Sequence, residues 1–186
     1  MDALRKSIAT SSKRPKSRLV SNRTGFVSSK GKTYVSSNES PKRCFFDGAT
    51  DWTLLTDLRD NSLVFPSKIA VTAYRPDIVV YSMETKRVGI FELTVPYAER
   101  VSESHKNKME KYRSLVEDIK DYDVELHCIE VSTTGYRSVF MDSFLNATGL
   151  RSREVRNKIS DTALRCSYYI YLWRNTKTWN PPIDFQ

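Results

Sequence analysis

Hydrophobic and polar positions divide the 186-residue chain into a polar leader and a patterned remainder. Residues 1–40 are rich in Ser, Lys and Arg with few aliphatics, which predicts a disordered leader. Ordered character begins near Cys44. Thr50 or Asp51 could cap a short helix carrying Trp52, Leu54, Leu55 and Leu58. A first strand is predicted around Lys68–Tyr74. Two apolar strands near 75–82 and 87–95 then flank a polar turn centred on Glu84 and Thr85. Pro96 ends the second strand. A long helix over about Glu99–Lys120 follows, because Val101, His105, Lys108, Tyr112, Leu115, Val116 and Ile119 recur at helical spacing. In the next strand, Val124, Leu126 and Cys128 alternate with Glu125 and His127, until Gly135 breaks the pattern. A helix from about Tyr136 stops at Gly149. The last helix, about Ser152–Trp173, places Val155, Ile159, Ala163, Cys166 and Ile170 on one face.

This order predicts an α/β sandwich around one mixed sheet. The hairpin makes its two strands antiparallel. The long helix makes a crossover, so the strand near residue 125 should run parallel to the strand before it. The expected layout is a tail over 1–43, one domain over 44–180 and an extension over 181–186. No apolar run approaches ~18 residues, so a membrane span is not expected. The N-terminus lacks the apolar core of a secretory signal. Cys44, Cys128 and Cys166 are widely spaced with no CxxC pair, which argues against a zinc site and for reduced thiols in a nuclear or cytoplasmic protein.

The net charge of +8 is unevenly spread. Residues 1–43 hold 11 Lys and Arg against Asp2 and Glu39, or 11 − 2 = +9, leaving 8 − 9 = −1 for the rest. The tail is therefore either a solvated leader or a contact for a polyanion, DNA before RNA.

Candidate chemistry centres on two acids. If the hairpin turn centres on Glu84–Thr85, residue 82 pairs with 87, and by the same count Asp77 pairs with Glu92. Directly opposed like charges destabilise a sheet, so the pair needs a reason. A shared divalent cation is one, since hard cations take carboxylate oxygens. The bland alternative puts both acids at the sheet rim, paired with Arg75 or Lys86. Thr94 shares the Glu92 face. On the following helix, with Val101 at 0°, Lys108 falls at about 340°, Tyr112 at about 20°, His105 at about 40° and Lys111 at about 280°. Lys108 thus lies in the apolar stripe, where it must snorkel out or serve something polar. Lys111, on the flank, is second choice. Two carboxylates and a lysine suggest metal-assisted hydrolysis of a phosphodiester, with Mg²⁺ or Mn²⁺ held by Asp77 and Glu92. The lysine would stabilise developing negative charge. No GxSxG, P-loop, GxGxxG or HExxH segment supports a rival reaction. His105 is placed at the edge of this site, and His127 is expected to be solvated.

The run `RPDIVV`, a short hairpin, `FELTVP` and the helix, strand and helix after it resemble the PD-(D/E)XK nuclease superfamily. Within it, the chain is most similar to the restriction-like endonuclease domain of non-LTR retrotransposons, over about residues 70–175. The shared helix pattern K-x-x-KY falls here on Lys108, Lys111 and Tyr112. The resemblance implies a restriction-endonuclease-like fold with helices on both sheet faces. It also implies a metal-dependent DNA endonuclease in which Asp77, Glu92 and Lys108 or Lys111 act. The superfamily pattern wants lysine two residues after the second acid, where this chain has Thr94. In the retrotransposon domains the helix lysine takes that part. A further acid from the first element is often added, and Asp51, Asp57 and Asp60 are the candidates, with Asp57 carried forward. Arg75, Arg151, Arg153, Arg156 and Lys158 would hold the phosphate backbone. Double-strand cutting would favour a homodimer. The alternative is a catalytically silent nucleic-acid-binding or assembly module on the same fold. The chain carries no reverse-transcriptase or zinc-knuckle segment, so it is read as a stand-alone derivative, an excised domain or a fragment.

Overall fold

A computed structural model describes residues 2–12, 44–57 and 63–175. Its elements are α1 (Asp2–Ser12), β1 (Thr53–Thr56), β2 (Ile78–Ser82), β3 (Arg87–Thr94), α2 (Val101–Asp118), β4 (Asp123–Glu130), α3 (Val139–Ala147) and α4 (Arg153–Trp173). The four strands form one sheet in the order β1-β2-β3-β4. The first two pairings are antiparallel and the third, β3 with β4, is parallel. The mixed sheet, the hairpin and the crossover through α2 are therefore as the hydrophobic pattern predicts.

Alternation along the strands sorts side chains onto two faces. Val79, Tyr81, Val88 and Ile90 meet Tyr112 and Leu115 of α2, and Ile119 just after it, on one face. Ile78, Val80, Phe91 and Ile129 meet Met141, Phe144 and Leu145 of α3 on the other, with Ala163 of α4. Phe45 and Phe46 join that second core, each beside the ring of Trp52. Gly89 is required there. A Cβ at Gly89 would meet the Phe91 and Phe45 rings at 2.7 and 2.9 Å.

Three local expectations are corrected. The segment after Asp51 is the strand β1, not a helix. Its side chains are needed on both faces at once: Leu54 packs against one core and Leu55 against the other. Asp51 caps no helix. It accepts from the Ser82 hydroxyl at 2.5 Å and from the Met83 and Glu84 amides, clamping the hairpin turn. The stretch Lys68–Tyr74 is turn and loop, not strand, and its Lys68 ammonium lies over the Tyr81 ring.

Within the predicted leader, residues 2–12 form α1. Leu4 is buried in the α3-side core, Ile8 packs beside it, and the Ser7 hydroxyl donates to the Thr148 carbonyl. A few aliphatics at helical spacing suffice when a preformed apolar face receives them. Residues 13–43, Leu58, Asp60 and 181–186 lie outside the described residues. Among the described residues, no helix is long and apolar enough to cross a membrane.

If α1 belongs to the fold, Leu4→Ala should cost about 2 kcal/mol in urea unfolding, as for a buried leucine. A change near zero would return α1 to the solvated leader.

Candidate functional site

The β2–β3 register runs from Ser82↔Arg87 to Ile78↔Phe91, so one more step sets Asp77 opposite Glu92. Both lie on the α2 face, two positions beyond Val79 and Ile90. The ladder ends in mutual hydrogen bonds: the Asp77 amide donates to Glu92 Oε2 at 3.3 Å, and the Leu93 amide donates to Asp77 Oδ2 at 2.6 Å.

Glu92 is only 3 % exposed, and its charge is met from α2. Lys108 Nζ donates to Glu92 Oε1 at 2.5 Å, and Lys111 Nζ lies 3.6 Å from the same oxygen. The Tyr112 hydroxyl, fully buried, lies 2.9 Å from Glu92 Oε2 and 3.1 Å from the Arg75 carbonyl. Lys111 Nζ in turn donates to that hydroxyl at 2.9 Å. The helical phase read from sequence thus delivers Lys108, Lys111 and Tyr112 to one carboxylate. The rim alternative, with Arg75 or Lys86 as partner, does not describe Glu92.

Asp77 is less compensated. Burial holds its carboxyl above the usual carboxylate range, and the Glu92 charge adds to that. The Leu93 amide and the two lysines pull the other way without cancelling it. Tyr112 is pushed well above the ordinary phenol value, first by burial and then by its bond to Glu92, so it stays a neutral donor.

The neighbouring strands extend the row. Asp57, one step beyond the Thr56↔Ile78 pair, stands opposite Asp77 and donates its amide to the Asp77 carbonyl at 2.9 Å. Its carboxylate oxygen accepts the Leu63 amide at 3.0 Å, so Asp57 braces the following loop and makes no bond to Glu92. On β4, Cys128 pairs in register with Glu92. Burial, then Glu130 and Glu92, push its thiol up to about 12, so it is no nucleophile. Thr94 pairs with Glu130, and its buried hydroxyl oxygen has no partner among the described residues.

Glu130 is the acid that sequence reading missed. It is fully buried, with its carboxyl raised by burial, and both its oxygens lie 3.1–3.2 Å from His105 Nδ1. The His105 ring stacks on Phe140 with centroids 3.5 Å apart. The alternation of β4 puts Glu130 on the same face as Cys128, which was a usable signal. His127 is not solvated. It is half-buried beside Phe91 and Phe144, with Nε2 3.1 Å from Glu125. Glu125 also takes Arg87, whose guanidinium lies over Phe45 and donates to the Phe45 carbonyl. This cluster on the far face is structural.

Of the predicted phosphate contacts, Arg75, Arg151, Arg153 and Lys158 are exposed. Arg156 is committed instead to Asp142 of α3, at 2.9 Å.

The donor set fits a hard divalent cation. Two carboxylates face each other, and Asp77 Oδ1 has no hydrogen bond among the described residues. No group of three or more His, Cys, Asp or Glu in metal-holding geometry occurs among the described residues. No protein-family model matches the chain, and no curated protein matches it.

Two outcomes follow. Asp77 holds its proton more tightly folded than unfolded, so it adds stability as pH falls through its raised value and withholds it above. Asp77→Asn should therefore melt above wild type near pH 7, with the gap closing toward acid; a lower melting temperature at pH 7 would contradict this. Tyr112→Phe leaves Glu92 Oε2 without its hydroxyl donor and should cost about 1–3 kcal/mol in chemical denaturation.

Proposed function

We propose that the chain is a metal-dependent DNA endonuclease that hydrolyses phosphodiester bonds, on a restriction-endonuclease-like sandwich of the non-LTR retrotransposon type. The observation that carries the reading is the convergence of Lys108 on the Glu92 carboxylate opposite Asp77, 2.5 Å from Glu92 Oε1. The resemblance in `RPDIVV`, `FELTVP` and the Lys108, Lys111, Tyr112 pattern supports it independently of geometry.

Asp77 and Glu92 would hold Mg²⁺ or Mn²⁺. When bound, such an ion lowers the pKa of a coordinated water and neutralises phosphate charge. The chain's own groups do the rest. Tyr112 and the Asp77 amide fix Glu92 Oε2, so the carboxylate cannot rotate away. Lys108 and Lys111 bring two positive charges to the place where a scissile phosphate would lie, and a lysine there stabilises charge that develops in the transition state. Thr94, short and neutral, leaves that space to the helix lysines. Arg75, Arg151, Arg153 and Lys158 would hold backbone phosphates without reading bases.

One observation favours a second reading. The same short Lys108–Glu92 bond satisfies the carboxylate internally, as a purely structural ion pair would. On that reading the protein is a silent nucleic-acid-binding or assembly module.

Incubation of supercoiled plasmid with the protein and Mg²⁺ or Mn²⁺ separates the two. Nicking should be abolished by chelation and reduced ~100-fold or more in Asp77→Ala and Lys108→Ala. Metal-independent nicking, or nicking unchanged in Asp77→Ala, would sink the assignment. DNA binding with no nicking in either metal supports the silent module.

A further inference from the structure

Helix α4 is longer than its core requires. Ala163 is its one buried residue, and beyond it Leu164, Tyr168, Ile170, Tyr171 and Leu172 are 45–60 % exposed. This half of α4 and the start of α2 form the walls of a groove of about 850 Å³. Three tyrosines line it: Tyr97, 65 % exposed, from the β3–α2 connection, and Tyr168 and Tyr171 from α4. Arg174 also lines it, with its guanidinium 4.5 Å from the centroid of the Tyr171 ring.

The groove shares a flank of α2 with the carboxylate site. Arg100, Ser104 and Asn107 line it from the α2 side. Their spacing of four and then three residues continues to Lys111, four residues on, so all four share one flank of the helix. Lys111 Nζ lies 3.6 Å from Glu92. Ser104 is about 6 Å along the helix axis from Lys108, a reach of one or two stacked nucleotides at about 3.4 Å each.

We infer that this groove is a stacking platform for unpaired nucleotides flanking the scissile bond, an inference that rests on the phosphodiester reading of the Asp77–Glu92–Lys108 site. Paired bases present only their edges, whereas a splayed base offers a face to tyrosine. The lining carries two arginines, Arg100 and Arg174, against one acid, Glu103, so it favours an anionic occupant. Arg174 makes no ion pair among the described residues, so its N–H edge is available to a phosphate while its plane stays on Tyr171. Arg100 is held by Glu103 at 3.0 Å, an exposed pair that a phosphate can compete with. The substrate class is thus nucleic acid with a single-stranded stretch beside the cleavage point.

The test uses the full chain in chelator, with a fluorescent oligothymidine of about 12 nucleotides and a duplex of the same length. Wild type should prefer the single strand. Tyr168→Ala with Tyr171→Ala should weaken single-strand binding ~10-fold or more, while the paired Phe substitutions, which keep the ring faces, should hold within about twofold. Arg174→Gln should reduce the salt slope by about one. Equal binding by the Ala variant, or preference for the duplex, overturns the platform. So does a sedimentation shift from dimer to monomer in the Ala variant with unchanged oligonucleotide affinity, which would make the groove an interface between copies. The plasmid assay separates the two readings. Tyrosine-dependent single-strand binding without metal-dependent nicking keeps the platform and removes the hydrolase. Nicking lost only in Asp77→Ala, with tyrosine-independent binding, does the reverse.

Discussion

The arrangement turns on one buried charge. Glu92 sits in a strand flanked by Phe91 and Ile90, at a depth where an unpaired carboxylate would be severely destabilising. Each of its oxygens is met: one by Lys108 and Lys111, the other by Tyr112 and the Asp77 amide. Those four partners come from the preceding strand and the following helix. Satisfying Glu92 therefore fixes how far α2 slides along the sheet and where β2 begins. The same contacts that stabilise the fold assemble the site.

Beside this row the protein carries a second buried acid with its own cation-capable partner, Glu130 with His105. The two couples lie on the same face, and Cys128 is between them, feeling both acids. One face of α2 thus changes character along its length. Leu115 and Ile119 pack aliphatic strand residues, and toward the N-terminus Tyr112, Lys108 and His105 answer carboxylates. Such a gradient gives the sheet a dry end and a polar end. The polar end coincides with the carboxyl ends of the two parallel strands, a common location for sites in α/β folds.

What the sequence made legible was periodic. Counting back from the turn set Asp77 against Glu92, and helical phase placed Lys108 and Tyr112 toward them, because strand and helix geometry leave little freedom once the element is known. Errors arose where the element itself was misjudged or where partners are remote. `WTLL` is compatible with either period, and only the sheet edge offered by β2 makes it a strand. Leu4 looked like part of a leader because the face that buries it is built some 140 residues later. Glu130 ends β4 and Asp57 lies one step past β1. Alternation gives the face of Glu130, but nothing local reveals that it is sealed against His105 or that Asp57 braces Leu63. Arg156 was read as a free cation because Asp142 lies on another helix.

The hairpin carries a further implication. Asp51 grips the turn through Ser82, Met83 and Glu84, at the opposite end of the β2–β3 ladder from Asp77 and Glu92. Strand side chains alternate strictly, so the turn acts as the zero mark of a ruler. Inserting or deleting a single residue between Met83 and Phe91 would send Glu92 to the aromatic face, among Phe45 and Phe144, and leave Lys108 facing an apolar strand. Length variation in this hairpin is therefore tolerable only in pairs. A substitution at Asp51, five strand residues from Asp77, bears on the carboxylates as directly as one beside them.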